Sequence, residues 1–205
     1  FADALDWAAR THDGRVAVVH NERRLTYREL ATRARNLAKG LIGLGLRPGD
    51  KVGLWAADSI DWIVARWAVP AMGCVLVPIN TRFLGSELAY VLKQAEIAAL
   101  IMGEGFRETT FHNVLEGIVP DLAAQKPGSL AVEAFPRLRL VVGIGAVHGP
   151  GAVAMAEIEE RGARDGLLDA LLADARGTVA AQDVAQIMYT SGTTSFPKGA
   201  MIAHG

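Results

Sequence analysis

The sequence predicts an α/β fold with a doubly wound, mainly parallel sheet flanked by helices. Short apolar runs typical of buried strands alternate with segments whose apolar residues recur at helical spacing, and turns rich in Gly and Pro separate them. This repeated strand–helix–strand order favours parallel strands that are covered on both faces. In such a sheet, ligands bind at the carboxyl ends of the strands.

Capping residues and glycines mark where the helices begin and end. Thr26 and Glu29 form a capping box ahead of a helical apolar pattern that breaks off at Gly43. Ser59 can cap the next helix, which ends before Gly73. The expected helices cover 26–42, 60–71, the region around 88–95, 111–124, and one or two charged surface helices within 154–175.

The strands are short apolar runs bounded by turn residues. They are expected over 51–56, 74–79, 97–102, 138–142 and 184–189. The glycine-rich stretch 143–151 is expected to be a loop. Its G-x-G-x-x-H pattern at 143–148 lacks the third glycine of a dinucleotide fingerprint, which disfavours cofactor binding there.

The composition excludes several classes of protein. With 205 residues, 51% hydrophobic and 21% charged, the chain is neither disordered nor collagen-like nor a coiled coil. A net charge of -1 offers no basic surface for nucleic acid. The longest apolar stretch, 63–79, is interrupted by Arg66 and two prolines, so no transmembrane segment is expected. The single cysteine, Cys74, excludes an intramolecular disulfide, is expected in the core and favours a cytoplasmic location.

The segment with the clearest chemistry follows the last expected strand. Thr190–Gly199 contains five hydroxyl side chains, two glycines and one lysine. Small residues let backbone N–H groups face an anion, hydroxyls add donors, and a lysine supplies positive charge, so the composition suits a polyphosphate. A Walker A loop is excluded, because Pro197 stands where its second glycine is required and no hydroxyl residue follows Lys198. A Ser/Thr-rich surface turn without a ligand is the alternative.

At these residues the chain resembles the adenylate-forming, or AMP-binding, superfamily, which includes acyl-CoA synthetases, luciferases and the adenylation domains of peptide synthetases. YTSGTTSFPKG, at 189–199, resembles the signature phosphate loop YTSGTTGxPKG. Two weaker matches stand upstream in the correct order, LTYREL at 25–30 and AMGCVLVPIN at 71–80. Ser195 departs from the usual glycine, which would cost about 1 kcal/mol if that position needs a positive φ.

The resemblance implies an enzyme that joins a carboxylic acid to ATP, releases pyrophosphate and passes the acyl group to coenzyme A. ATP, Mg²⁺ and coenzyme A are the implied cofactors and co-substrates. Lys198 would offset phosphate charge as the catalytic residue, and Thr190 would help to hold Mg²⁺. His204 is expected to have a structural role. The residues implied in nucleotide binding are Thr190, Ser191, Gly192, Thr193, Thr194, Ser195, Lys198 and Gly199.

Asn80 favours an acyl-CoA synthetase, since carrier-loading adenylation domains more often have aspartate there. A carrier-protein-loading adenylation domain and a noncatalytic nucleotide-binding or scaffold module are the alternatives. Residues 1–205 are expected to be the N-terminal portion of an AMP-binding large domain, without the remainder of that domain and the C-terminal domain. Such a fragment should be inactive alone. Its open sheet edge should favour a homo-oligomer or association with the missing remainder.

Overall fold

The computed structural model describes residues 2–145, 149–190 and 197–205. Within them the helices are α1 (Ala2–His12), α2 (Tyr27–Gly43), α3 (Ile60–Ala71), α4 (Gly85–Gln94), α5 (Phe111–Ile118), α6 (Met155–Arg164) and α7 (Leu167–Gly177). The strands are β1 (Val16–His20), β2 (Arg23–Thr26), β3 (Lys51–Trp55), β4 (Val75–Pro78), β5 (Ile97–Met102), β6 (Gly105–Phe106), β7 (Thr109–Thr110), β8 (Leu140–Gly143), β9 (Val153–Ala154), β10 (Val184–Thr190) and β11 (Lys198–Ala203).

The main sheet has the expected doubly wound, largely parallel architecture. In the described part of the chain, seven strands are ordered β11-β10-β4-β3-β5-β8-β9. Neighbouring strands from β10 to β9 pair in parallel, whereas β10 and β11 form an antiparallel hairpin at one edge. The fold class is therefore confirmed. Two separate hairpins, β1–β2 and β6–β7, lie outside this sheet.

The sheet separates two apolar cores. Successive β5 side chains point to opposite faces, so Ile101 packs into one core and Leu100 into the other. The first core includes Leu37 of α2 and Val64 of α3, and the second includes Phe111 of α5. Helices on both faces thus bury a sheet whose central strands are apolar on both sides.

The helix starts confirm the capping signals. The hydroxyl of Thr26 accepts a hydrogen bond from the backbone N–H of Glu29 at 3.3 Å, and the Glu29 carboxylate accepts one from the Thr26 N–H at 2.7 Å. The Thr26 hydroxyl also donates to this carboxylate, at 2.8 Å, and the two bonds that the carboxylate accepts, from the Thr26 N–H and then from its hydroxyl, lower the pKa of Glu29. Ser59 accepts from the N–H of Trp62 at 3.0 Å and so begins α3.

The expected strands agree with the structure to within two residues at each end. The helix expected over 111–124 is instead two pieces, α5 and a short 3-10 turn at Leu122–Ala124, because Pro120 cannot continue an α-helix. The last three residues of the G-x-G-x-x-H pattern, 146–148, lie outside the described residues.

Cys74 is a buried core residue, as expected. Its thiol donates to the carbonyl of Arg47 at 3.1 Å, and burial raises its pKa to about 12. In the described ranges, no helix has both the length and the apolar character needed to cross a bilayer.

Candidate functional site

The segment of the proposed phosphate loop is bounded by the two strands of the edge hairpin. Thr190 is the last residue of β10 and Lys198 the first of β11. Because β10 is parallel to β4, this end of the hairpin lies level with the carboxyl ends of β4, β3, β5 and β8. Ligands of doubly wound sheets bind at these carboxyl ends.

The hairpin register brings several of the predicted site residues together. Thr190 lies opposite Lys198, and Tyr189 lies opposite Gly199. The Thr190 hydroxyl donates weakly to the Lys198 carbonyl, at 3.4 Å. Lys198 and Gly199 are therefore strand residues, which corrects their assignment to the loop. Five further predicted residues, Ser191, Gly192, Thr193, Thr194 and Ser195, lie outside the described residues.

Lys198 and Thr190 are both exposed at the open end of the hairpin. Within the described ranges, no carboxylate forms an ion pair with Lys198. The hairpin thus presents a cation, without an acidic partner among the residues that the structure describes, next to an accessible hydroxyl. This pairing of charge and donor suits a polyanion such as a triphosphate.

Gly199 lies where a side chain would collide with its neighbours across the hairpin. A Cβ at this position would stand 2.8 Å from Cγ2 of Ile187 and 3.5 Å from Cζ of Tyr189. The 2.8 Å distance to Ile187 is shorter than the contacts that real Cβ atoms make. The absence of a side chain at Gly199 therefore lets Ile187 and Tyr189 pack over β11. Gly199 thus has a packing role that the sequence did not reveal, and nucleotide contact by this residue stays a prediction.

Tyr189 connects the hairpin to the helical layer. Its side chain packs against the second apolar core, and its hydroxyl donates to the Oε1 atom of Gln94, the last residue of α4. Burial, and to a lesser extent Tyr90, raises the pKa of Tyr189. Sequence reasoning missed Gln94, because nothing in the pattern of α4 distinguishes a polar residue at its exposed end.

His204 lies at the opposite end of the hairpin from Lys198. Its backbone N–H donates to the carbonyl of Asp183 at 3.1 Å, beside the start of β10. It lies six residues after Lys198 along an extended strand, a span of about 20 Å. Burial lowers the pKa of His204. This position agrees with the structural role expected for the residue.

Asn80 lies in the turn after β4, at the same end of the parallel strands as Thr190 and Lys198. Its side-chain oxygen accepts from the N–H of Arg82 at 3.0 Å, and its carbonyl accepts from Nε1 of the buried Trp55 at 3.2 Å. Both bonds shape the turn. In the described part of the chain, no group of three or more His, Cys, Asp or Glu side chains could hold a metal ion.

Comparison with known proteins places the chain in one family. The AMP-binding enzyme family matches residues 5–205. The Bacillus subtilis (strain 168) protein YngI, whose name assigns it provisionally to the acyl-CoA synthetases, is 35% identical over 202 residues, which are 98% of this chain and 36% of that protein. The mitochondrial medium-chain acyl-CoA ligase ACSF2 of Bos taurus is 33% identical, over 96% of this chain and 32% of its own length. The chain thus spans about a third of the length of these curated relatives.

The solved structures show the same fold. The anthranilate CoA ligase AuaEII, in complex with anthranoyl-AMP, superposes with a TM-score of 0.76 at 24% identity. The superposition covers 99% of this chain and 34% of that one. At this identity the likeness supports the fold and not the choice of substrate.

Proposed function

Since the chain belongs to the AMP-binding enzyme family, we propose that it works as part of an ATP-dependent acyl-CoA synthetase. The observation that carries the proposal is the edge hairpin. Its two strands bound the YTSGTTSFPKG segment at the carboxyl ends of the parallel strands, where ligands of such sheets bind, and Lys198 has no acidic partner among the described residues. The names of the relatives, which are acyl-CoA synthetases and ligases, support this reaction class over others in the family.

The proposed reaction has two steps. In the first, a carboxylate oxygen of the acid attacks the α-phosphorus of ATP, and the bond to the bridging oxygen breaks so that the electron pair leaves with pyrophosphate. In the second, the thiol sulfur of coenzyme A attacks the acyl carbon, and AMP leaves while the thiol proton is lost. The protein accelerates the first step by positioning the reactants and stabilising charge on the departing pyrophosphate.

In this proposal the hairpin supplies the charge and the loop supplies the donors. Lys198 offsets the negative charge that develops on the β- and γ-phosphates, and is the proposed catalytic residue. Backbone N–H groups and hydroxyls of 191–195 contact the phosphates. Mg²⁺ neutralises part of the phosphate charge when bound, and the exposed Thr190 hydroxyl is the group we propose to help to hold it. Mg²⁺ commonly keeps several water and phosphate ligands, so a site with few protein ligands fits.

We also propose that residues 1–205 form the N-terminal portion of a larger adenylate-forming domain. The curated relatives are about three times as long as the part that this chain matches. Contacts to adenine, ribose and most of the acid would come from the remainder, so the 205-residue chain alone should be inactive. A cytoplasmic location is part of the proposal, although the ACSF2 relative is named as mitochondrial.

The test is acid-dependent release of pyrophosphate by the complete protein that contains this chain. Aliphatic, alicyclic and aromatic acids are assayed with MgATP, with and without coenzyme A, and products are identified by mass spectrometry. An acyl-CoA product supports the proposal. Pyrophosphate release followed by acylation of a carrier protein, and not of coenzyme A, would support a carrier-loading adenylation domain instead. Binding of MgATP without turnover of any acid would support a noncatalytic module.

A further inference from the structure

The end of β10 extends beyond β4, its parallel neighbour in the main sheet. β10 pairs in parallel with β4 at Gln186 and Leu76, and β4 ends two residues later at Pro78. In this register Tyr189 and Thr190 lie past the end of β4, and they pair with β11. An isolated two-stranded ribbon is marginally stable in water. The end of the hairpin that bounds the loop therefore depends on side-chain contacts to hold its position relative to the sheet.

Tyr189 supplies such a contact. Its ring packs against the second apolar core, and its hydroxyl donates to Gln94, which lies 95 residues earlier in the chain. Helix α4 is a fixed support for this bond, because Leu88, Val91 and Leu92 are buried beneath it. Tyr189 is also the residue directly before Thr190, so a shift of its side chain would move Thr190, the last residue of β10 before the loop.

We propose that Gln94 is a positioning residue for the phosphate loop, acting through the hydroxyl of Tyr189. The hydrogen bond anchors the end of β10 to α4 and so fixes where Thr190 and Lys198 stand relative to the carboxyl ends of β4 and β3. Gln94 itself touches no reacting atom. The inference rests on the proposed function, since it assigns Gln94 to the binding of MgATP.

The experiment compares Gln94→Leu, Tyr189→Phe and the double variant in the complete protein. Gln94→Leu removes the acceptor at nearly constant size, and Tyr189→Phe removes the donor. We expect each single variant to raise the KM for MgATP about three- to fivefold, the weight of one exposed hydrogen bond, with little change in kcat or thermal stability. The double variant should resemble the single variants, because both remove the same bond. Gln94→Glu keeps an acceptor and should keep the KM.

Gln182→Leu is the matched control, because it makes the same change at an exposed position in the turn before β10. Hydrogen exchange of peptides that span 184–203 gives a second measurement that needs no turnover. Faster exchange of β10 and β11 in Gln94→Leu and Tyr189→Phe supports the inference. Unchanged exchange and KM in Gln94→Leu, or single effects that add fully in the double variant, would overturn it. If the unmodified protein releases no pyrophosphate, the proposed function fails, and exchange alone decides the role of Gln94.

Discussion

Lys198 stands at the first position of an edge strand, where its ammonium is exposed and carries no acidic partner in the described ranges. Its position on a strand, rather than on the loop itself, means that substituting it should leave the hairpin intact. Alanine also keeps the backbone pairing with Thr190. The residue can therefore be tested for chemistry with little structural disturbance.

We predict that Lys198→Ala in the complete protein slows pyrophosphate release about a hundredfold, since removing one stabilising group opposite a developing charge costs about 3 kcal/mol. The measurement is single-turnover pyrophosphate release at saturating MgATP. Lys126→Ala, an exposed lysine outside the hairpin, is the control and should retain the full rate. A Lys198→Ala rate equal to that of the unmodified protein would exclude Lys198 from catalysis.

Cys74 leads to a prediction of pH dependence. Its pKa is raised from an ordinary value near 9 to about 12, first by burial and then by the charge of Asp50. The folded state therefore keeps the thiol proton between pH 9 and 12, whereas the unfolded state loses it. The stability that this thiol contributes is complete below pH 9 and is lost as the pH rises towards 12, at about 1.4 kcal/mol per pH unit.

Urea unfolding at pH 8 and pH 10, for the unmodified chain and for Cys74→Ala, measures this effect. The unmodified chain should lose more stability between the two pH values than the variant does. At pH 8 the native thiol should also resist a disulfide reagent until the chain unfolds. Rapid labelling of the folded chain at pH 8 would contradict the burial of Cys74.

At the level of elements, helices α2 and α6 pack so closely that their backbones are in contact. A Cβ on Gly162 would stand 1.9 Å from the carbonyl oxygen of Asn36, and one on Gly40 would stand 2.1 Å from that of Ile158. Both obstructing atoms belong to the backbone, which cannot rotate away as a side chain can. The two glycines therefore let these helices approach closely.

We predict that Gly162→Ala destabilises the chain by about 2–3 kcal/mol, because overpacking outweighs the gain in helix propensity. Gly117→Ala in α5 is the matched control, since a Cβ there meets nothing within 4 Å. That variant should gain up to about 1 kcal/mol from propensity alone. Equal midpoints of urea unfolding for the two variants would show that the α2–α6 contact tolerates a methyl group.

The sequence predicted those elements whose local signals agree with their surroundings. The Thr26–Glu29 capping box was sufficient to predict the start of α2, and the fully apolar run of β5 was sufficient to predict that strand. By contrast, β11 begins within the phosphate motif and is exposed over most of its length, so no hydrophobic pattern marked it. Glu159 lay among charges that suggest a solvated face, yet it pairs with Arg33 of α2 at 2.7 Å. Such long-range ion pairs depend on how the helices pack, so the local sequence pattern does not predict them.

The sequence suggests a chemistry for the candidate site, which stays a prediction, but it does not show which residues support that site. Hydroxyls, glycines and a lysine in one segment suit a phosphate ligand, and the resemblance to the YTSGTTGxPKG motif favours that interpretation over a turn without a ligand. The partners that hold the end of the hairpin, Gln94 with Tyr189 and Ile187 with Gly199, depend on where α4 and the hairpin meet in three dimensions. The spacing of residues along the chain does not predict this contact between α4 and the hairpin.

At the scale of the whole molecule, the edge hairpin exposes apolar side chains of the main sheet. β11 forms one edge of the sheet, and on it Met201 is 73% exposed, beside Ile202 at 44%. Met188 of β10 is 40% exposed as well. Exposed apolar edge strands pair with other chains unless charges or covering segments prevent it.

We therefore predict that the 205-residue chain, produced by itself, self-associates through the β10–β11 hairpin. Light scattering coupled to size exclusion should show a mass that rises with concentration, and Met201→Lys should return the chain to a monomer by placing a charge on the edge. Leu167→Lys is the control, because Leu167 is 82% exposed on α7 and lies outside the sheet, so it should leave the association unchanged. In the same chain, calorimetric titration should show far weaker MgATP binding than in the complete protein. A monomer at every concentration that binds MgATP tightly and in a one-to-one ratio would contradict both expectations and would favour a self-contained nucleotide-binding module.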